Sequence, residues 1–126
     1  MGAMVVITTV GTEEQAFLIA EELVRHRHSC CVNVIPGIRS VYRWKGKVSR
    51  DSEYMLIIKT LESELEELAT VIREFHSYEL PEIINLKIEG GDPDFMTWVT
   101  DSLDKTRVLA GGDEDESSGF GDDSSF

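Results

Sequence analysis

The spacing of apolar and polar positions predicts regular structure in the order strand, helix, hairpin, helix, strand. Residues 5–10 and 83–88 are short apolar runs rich in β-branched side chains, which is typical of strands. Two segments between them repeat apolar residues every three or four positions, the period of an amphipathic helix. Their apolar faces consist of Ala16, Phe17, Ala20, Leu23 and Val24 in the first helix, and of Leu65, Leu68, Ala69, Ile72 and Phe75 in the second.

Each predicted helix follows a capping pattern. Thr12 begins the segment TEEQ, and Ser63 begins the segment SELE. In such a capping box the hydroxyl group and the side chain three residues later satisfy amides of the first helical turn. The sequence therefore predicts that Thr12 and Ser63 are the N-caps of the two helices.

Residues 31–60 are predicted to form a long, bent hairpin. Pro36-Gly37 does not fit inside a regular ladder and predicts a bend or bulge. Lys45-Gly46-Lys47 supplies the glycine that a tight reversal requires. Residues 55–58 are four apolar side chains in a row, a pattern that favours a central strand covered on both faces.

The element order βαββαβ predicts an α+β fold, a ferredoxin-like sandwich of two helices on one face of a four-stranded antiparallel sheet. The other face of that sheet would be open and would carry Tyr42, Trp44 and residues 55–58. Such an apolar face in water favours association into an oligomer. A short C-terminal helix near Phe95, Trp98 and Leu103 can cover part of it.

The charge of the chain is strongly negative and unevenly distributed. Its 126 residues hold 24 acidic and 12 basic side chains, a formal charge of −12, which argues against binding to nucleic-acid phosphates. Residues 111–126 hold six of the acids and no base. We expect residues 1–4 to be a cloning remnant or short extension, residues 5–108 to be one domain, and residues 109–126 to be a disordered Gly/Ser-rich acidic tail.

Several function classes have no support in the sequence. No apolar run approaches the roughly 20 residues of a membrane span, and no secretion signal is present, so we expect a cytoplasmic protein without membrane contact. The chain also lacks a phosphate-binding Gly-rich loop, a zinc-protease helix motif, a paired C-x-x-C and a nucleophile elbow. We therefore expect no enzymatic activity.

The segment HRHSCC carries four potential metal ligands, His26, His28, Cys30 and Cys31. Residues two apart on a helix point in nearly opposite directions, and adjacent strand residues face opposite sides of a sheet. The four side chains are therefore not expected to converge in one subunit. We expect two solvated histidines and one buried, inert thiol, whereas a thiolate near a cleft would suit Cu(I).

Four segments, in this order, resemble the CutA family of divalent-cation tolerance proteins. They are CVNVIPGIRSVYRWKGKV from residue 31, EYMLIIKT from residue 53, HSYELPEII from residue 76 and GDPDFMTW from residue 91. The resemblance covers roughly residues 5–105. It implies a ferredoxin-like subunit, a tight homotrimer whose sheets continue across subunits, a cytoplasmic bacterial setting, and an association with copper and other divalent ions rather than a defined reaction.

The same resemblance implies candidate metal ligands. His76 lies where the family's proposed copper-binding histidine lies, and Cys31 occupies the cysteine position of the family motif. Phe75 and Thr8 stand where some relatives have a second histidine and a cysteine. The alternative for His76 is a purely structural role at the C-terminus of the second helix.

The family fold would also bring six polar or amphipathic residues toward clefts between subunits: Lys47, Glu53, Lys59, Tyr78, Glu82 and Trp98. They can form a network that fixes the register of the trimer. Alternatively, they can line a pocket for a small anionic ligand or metabolite, by analogy with nitrogen-regulatory signalling proteins of similar fold.

The sequence thus predicts a trimeric, non-enzymatic protein that binds copper or another divalent cation, or confers tolerance to it, and needs no cofactor. One alternative function is a trimeric signalling module that binds a small ligand in its intersubunit clefts. The other is a scaffold whose acidic tail recruits a protein partner.

Overall fold

A four-stranded antiparallel sheet and three α-helices make up residues 2–106, the part of the chain that this computed structural model describes. The strand order is β2-β3-β1-β4, which confirms the predicted α+β class and order of elements. The predicted tail, residues 109–126, lies outside the described part. The elements are β1 Ala3–Val10, α1 Glu13–Arg25, β2 Cys31–Trp44, β3 Lys47–Leu61, a 3₁₀ turn Glu62–Glu64, α2 Leu65–Phe75, β4 Ile84–Lys87 and α3 Pro93–Ser102.

The core lies between one face of the sheet and helices α1 and α2. Strands β1 and β3 are the two central strands, and their facing pair Val6 and Ile58 is fully buried. Met55 and Ile57 point to the other face and are only half-buried, so the predicted cover on both faces is incomplete within one chain. The buried cluster comprises Val6, Val10, Ala16, Ile19, Ala20, Leu23, Leu56, Ile58, Leu68 and Ile72.

The two helices begin differently from one another. Thr12 Oγ1 accepts a hydrogen bond of 3.1 Å from the amide of Gln15, which confirms the first cap. The prediction for Ser63 is wrong, because this residue lies in the 3₁₀ turn and α2 begins at Leu65 without a side-chain cap. The neighbouring Glu64 directs its carboxylate to residues distant in sequence instead of to the start of the helix.

The set of buried residues on α1 also differs from the prediction. Helical spacing predicts Val24 on the apolar face, but this residue is 42% exposed, whereas Ile19 is fully buried. Helix α1 therefore packs through the row that contains Ile19 and Leu23. Val24 follows Leu23 directly and is therefore rotated from it by about 100° around the helix axis, to the edge of this row.

The hairpin of β2 and β3 has both predicted features. The ladder shifts register between Ile35 and Ile38, and Gly37 between them has a φ of 75°. The tip is a two-residue loop in which Lys45 and Gly46 both have positive φ, 52° and 81°, as in a type I′ turn. Strand β1 pairs with β3 only as far as Tyr54. Residues 38–53 therefore extend beyond the sheet as a two-stranded ribbon, here called the hairpin arm.

The face of the sheet opposite α1 and α2 is largely uncovered. On edge strand β4, Ile84 and Leu86 pair with Ile7 and Val5 of β1, and they are 45% and 48% exposed. Val99 of α3 and Leu103, the residue that follows this helix, are buried against Leu61 at one end of this face. The predicted C-terminal helix is thus present and covers part of the face, as expected, while the region around β4 stays apolar and open.

Candidate functional site

A cavity of about 520 Å³ lies between the hairpin arm and the segment that follows α2. Three of the predicted cleft residues, Glu53, Tyr78 and Glu82, meet here. Two further aromatic rings from the arm, Tyr42 and Trp44, complete one wall. The full lining is Thr9, Tyr42, Arg43, Trp44, Glu53, Ser77, Tyr78, Glu79, Leu80 and Glu82.

Glu53 is the buried carboxylate of this pocket, with a relative exposure of 7%. Its Oε1 accepts a 2.6 Å hydrogen bond from the hydroxyl of Ser40, and its Oε2 accepts one of 2.7 Å from the hydroxyl of Tyr78. Burial, and then the Glu53 carboxylate, raise the pKa of Tyr78 far above its ordinary value, so this phenol remains a donor. A Cβ at Gly11 would lie 3.2 Å from the Tyr78 hydroxyl oxygen, so glycine leaves the room that this contact needs.

The hydroxyl of Tyr42 donates a hydrogen bond to Asp51 across the hairpin arm. That hydrogen bond is the main cause of the raised pKa of Tyr42. Both tyrosines of the wall are therefore neutral donors that point at carboxylates.

The other three predicted cleft residues lie elsewhere in the subunit. Lys47 is at the tip of the arm opposite Trp44, and Lys59 donates to the side chain of Asn33 on β2. Trp98 lies on α3 with its ring centroid 5.6 Å from that of Phe95. Within one chain, the predicted set is thus divided between the pocket and other places.

His76 lies at the C-terminus of α2, with both ring nitrogens hydrogen-bonded inside the chain. Its Nδ1 accepts a 3.1 Å hydrogen bond from the amide of Tyr78, and therefore Nε2 carries the proton and donates to the carbonyl oxygen of Thr9 at 2.8 Å. No nitrogen lone pair is left for a metal in this arrangement. The ring instead ties the end of α2 to the end of β1, which favours the structural alternative.

Cys31, the other predicted ligand, is half-buried and far from His76 along the sheet. Cys31 lies on the rung of Lys59 and Val5, whereas His76 contacts Thr9 on the same strand as Val5, four residues further on. At the rise of a β-strand this separation is roughly 13 Å. One ion therefore does not reach both side chains within one subunit.

The neighbouring Cys30 is the thiol in the more apolar setting. It packs against the small cluster of Leu61, Val99 and Leu103. Burial, and then the electrostatic interaction with the neighbouring Cys31 thiol, raise the pKa of Cys30 to about 11. Cys30 is thus a neutral thiol near pH 7.

A different group of donors converges where α1 ends and α2 begins. His28 Nδ1 lies 3.1 Å from Glu64 Oε1 and 3.7 Å from Glu67 Oε1. Among residues 2–106, these three form a group of His, Cys, Asp or Glu side chains whose ligand atoms all lie within 4.8 Å of one another, and no second such group is present there. The His28 side chain is only 17% exposed, so the prediction of a solvated histidine is wrong for this residue.

Lys105 contributes the positive charge of this cluster. Its ammonium nitrogen lies 2.8 and 2.9 Å from the two carboxylate oxygens of Glu64. Burial opposes the ionisation of Glu64, yet the hydrogen bonds from Lys105 and His28 outweigh it and hold the pKa of this carboxyl below its ordinary value. Glu64 is therefore an ionised, partly buried acceptor. No local sequence pattern indicates the group, because its contacts join residues that are 36 and 41 positions apart in the chain.

Comparison with known proteins places these features in a family. The family model described as CutA1 divalent ion tolerance protein matches residues 4–102. The chain belongs to the CutA family. It is 39% identical over 98 residues to the divalent-cation tolerance protein CutA of Thermus thermophilus, a match that spans 78% of this chain and 95% of that relative. The identification of a CutA protein from its sequence motifs is thus confirmed.

Other CutA relatives differ in length. The chain is 43% identical over 100 residues to the chloroplastic protein CutA of Arabidopsis thaliana, a match that spans 79% of this chain but 55% of the relative. The chain thus spans about half the length of the plant relatives it matches. CutA from Xylella fastidiosa has a similar structure, with a TM-score of 0.80, 32% identity, and coverage of 82% of this chain and all of that one.

The Arabidopsis relative is by name a chloroplastic protein. None of the helices within residues 2–106 is both long enough and apolar enough to cross a membrane. The cytoplasmic location stays a prediction.

Proposed function

We propose that this CutA protein is a homotrimer that binds copper or another divalent cation and catalyses no reaction. The observation that carries the cation-binding role is the convergence of His28, Glu64 and Glu67. We call these three residues the cation triad. The family model that the chain matches is named for tolerance of divalent ions. The triad brings together donor atoms that suit such an ion.

The chemistry and spacing of the triad fit a transition-metal ion. An imidazole nitrogen and two carboxylate oxygens suit Cu(II) or Zn(II), whereas Cu(I) prefers thiolates. Ligands about 2.0–2.2 Å from a tetrahedral ion lie roughly 3.4 Å apart. The distances from His28 Nδ1 to the two glutamates, 3.1 and 3.7 Å, bracket this value. Glu67 is 69% exposed, so water can complete the coordination shell from that side.

Lys105 has to leave Glu64 when an ion binds. Its side chain is 41% exposed, and it can turn into solvent. In this exchange a divalent ion between the carboxylates of Glu64 and Glu67 replaces the single positive charge of the Lys105 ammonium. We therefore expect the metal to compete with the Lys105 ammonium for the same oxygens.

The homotrimer is supported by the open face of the sheet. Ile84 and Leu86 lie on an edge strand whose outer side has no partner strand among the described residues. Apolar side chains on an unpaired edge favour pairing with another chain. A symmetric assembly that covers this face would remove both the edge and the apolar surface from water.

The predicted ligands His76 and Cys31 remain a second proposal for the metal. An ion at His76 requires the ring to release Thr9 or Tyr78, and a shared ion with Cys31 requires ligands from two subunits. The triad requires His28 Nδ1 to give up its proton and Lys105 to leave Glu64, but all three of its ligands come from one subunit. It is therefore the first place to test.

Native mass spectrometry of the full chain with graded Cu(II) or Zn(II) tests assembly and binding together. We expect a trimer that takes up one ion per subunit, with uptake lost in His28→Ala. His26→Ala is the matched control, because His26 lies two residues away, is 57% exposed and pairs with Glu22 rather than with the triad. Uptake that survives His28→Ala and disappears in His76→Ala would move the site to His76, and a trimer without uptake would contradict cation binding altogether.

A second candidate function is the binding of a small organic ligand in the pocket around Glu53. The specific observation in its favour is a carboxylate that is 7% exposed yet faces a cavity of about 520 Å³. The trimer-register network stays the alternative for the same residues. Recruitment of a partner by residues 111–126 is a separate prediction, which deletion of those residues tests.

A further inference from the structure

We infer that the pocket lined by Glu53, Tyr78 and Trp44 takes a small organic cation, an ammonium or guanidinium compound, in preference to an anion of the same size. The inference rests on the second candidate function, ligand binding in this pocket, and names the chemical class of the ligand. It reverses the expectation of an anionic ligand that the sequence suggested. Four features support it: the net charge of the lining, the buried carboxylate of Glu53, the aromatic wall and the size of the cavity.

The charge of the lining is negative. Three carboxylates, Glu53, Glu79 and Glu82, face one guanidinium, Arg43, which gives a formal charge of −2. The two lysines that would have attracted an anion, Lys47 and Lys59, do not line the cavity. An anion would therefore meet net repulsion, and a cation would meet net attraction.

The buried carboxylate of Glu53 lacks an ionic partner within the described part of the chain. Its two oxygens accept hydrogen bonds from the neutral hydroxyls of Ser40 and Tyr78. No basic nitrogen of residues 2–106 forms a salt bridge with it. Buried carboxylates are usually paired with a positive charge. The hydroxyls orient the group, and a cationic ligand would supply the missing charge.

The aromatic wall is suited to a cation as well. Rings of tyrosine and tryptophan attract ammonium and guanidinium groups through their negative faces. At the rim of the pocket, Lys45 already demonstrates the arrangement: its ammonium lies 5.7 Å from the centroid of Trp44 and 4.0 Å from Glu79 Oε1. The Lys45 side chain is 72% exposed, so a ligand can displace it.

The size of the cavity selects an organic molecule. A volume of about 520 Å³ lies within the range of about 300–1,000 Å³ that is common for small-molecule sites. The carboxylates of the lining do not converge as the cation triad does, since no group of three lining donors falls within 4.8 Å among the described residues. A bare metal ion would therefore find fewer than three of these donors together, whereas an alkyl or guanidinium cation can contact Glu53 and the rings together.

Isothermal titration calorimetry of the full chain at fixed ionic strength tests the inference. The probes are agmatine and tetramethylammonium, with glutarate as the anionic comparator. We expect both cations to bind and glutarate not to bind. Glu53→Gln should weaken agmatine about tenfold or more, because it keeps the size of the side chain and removes the charge. Arg43→Gln should tighten agmatine severalfold, since it removes the competing guanidinium.

Two further variants keep the test decisive. Glu82→Gln changes an exposed lining carboxylate, so it reports on the pocket even if Glu53→Gln does not fold. Glu21→Gln removes a charge from the exposed surface of α1 and should leave agmatine binding within about twofold of wild type.

The outcomes separate the inference from the candidate function. If glutarate binds and the pocket variants lose this binding, the pocket does bind a ligand. The inference that the ligand is a cation would then be wrong. Agmatine binding that is equal in wild type, Glu53→Gln and Glu82→Gln would also overturn the inference, since it would reflect the acidic surface alone. If no probe binds, as when a neighbouring subunit fills the cavity, both the inference and the candidate function are wrong.

Discussion

The carboxylate of Glu64 contacts His28 on one side and Lys105 on the other, and it joins three segments that are distant in the sequence. At the scale of single residues, such contacts decide which side chains are free to bind a metal. His76 uses both ring nitrogens within the chain, whereas Glu67 of the triad is open to solvent. The family resemblance made His76 a candidate ligand, but sequence does not show that both of its ring nitrogens are already hydrogen-bonded.

The ionised form of Glu64 should stabilise the fold in a pH-dependent way. Its folded-state pKa lies below the ordinary value of 4.5, so the stabilisation is present above that value and is lost as the pH falls through the folded pKa. We therefore expect the stability advantage of wild type over Glu64→Gln to shrink as the pH falls below about 4.5. Urea unfolding between about pH 6 and about pH 3 measures it.

Glu21→Gln is the control for this series, because Glu21 is exposed on α1. Its difference from wild type should stay within about 0.5 kcal/mol across the range. An advantage of wild type over Glu64→Gln that grows on acidification would contradict the assigned role of Glu64.

His76→Ala should destabilise the protein by about 1–3 kcal/mol, because it leaves the amide of Tyr78 and the carbonyl of Thr9 without their partner. Urea unfolding at a fixed protein concentration measures the change, since an oligomer's stability depends on concentration. His26→Ala should change stability by no more than about 0.5 kcal/mol. Equal stability of His76→Ala and wild type would mean that the ring has no structural role.

At the scale of elements, local sequence signals are sufficient to predict turns and bulges whose conformation depends on one or two neighbouring residues. The bulge at Gly37 and the turn at Gly46 follow from residues that tolerate positive φ, and both are predictable from sequence. The start of α2 is not, because Glu64 is drawn to His28 and Lys105 by the folded structure. No local sequence pattern predicts the contacts of Glu64 with His28 and Lys105.

Gly46→Ala should destabilise the hairpin arm by about 1 kcal/mol, because φ at this position is 81° and an L-residue with a Cβ is strained there. No atom lies within 4 Å of the added Cβ, so the cost is conformational rather than steric. Gly90→Ala is the matched control, since Gly90 is equally open but lacks a positive φ. Equal denaturation midpoints for the two variants would contradict this explanation.

At the scale of the whole molecule, two surface features matter for binding and assembly: the apolar open face of the sheet and the acidic pocket. The open face is predictable from the element order βαββαβ, because right-handed crossovers place α1 and α2 on the same side of the sheet. The composition of the pocket is predictable only in part: the family resemblance indicates Glu53, Tyr78 and Glu82, but it does not show that Lys47 and Lys59 lie elsewhere. Net charge at a site depends on which side chains the fold brings together.

Replacing Ile84 and Leu86 by lysine should convert the proposed trimer into monomers. The two side chains are 45% and 48% exposed in one chain, and added charges on an apolar edge strand oppose association. Analytical ultracentrifugation measures the mass. Val24→Lys, on the helical side of the subunit, changes an apolar residue that is 42% exposed and should leave the assembly intact. An unchanged mass for the double variant would place the interface elsewhere.

The most direct test of cation binding at the triad is anomalous X-ray diffraction from crystals of the full chain grown with Zn(II). We expect an anomalous peak about 2.0–2.2 Å from His28 Nδ1, with Glu64 and Glu67 as further ligands and Lys105 turned away. A peak at His76 or Cys31, or an intact contact between Lys105 and Glu64 at saturating Zn(II), would contradict the proposed site.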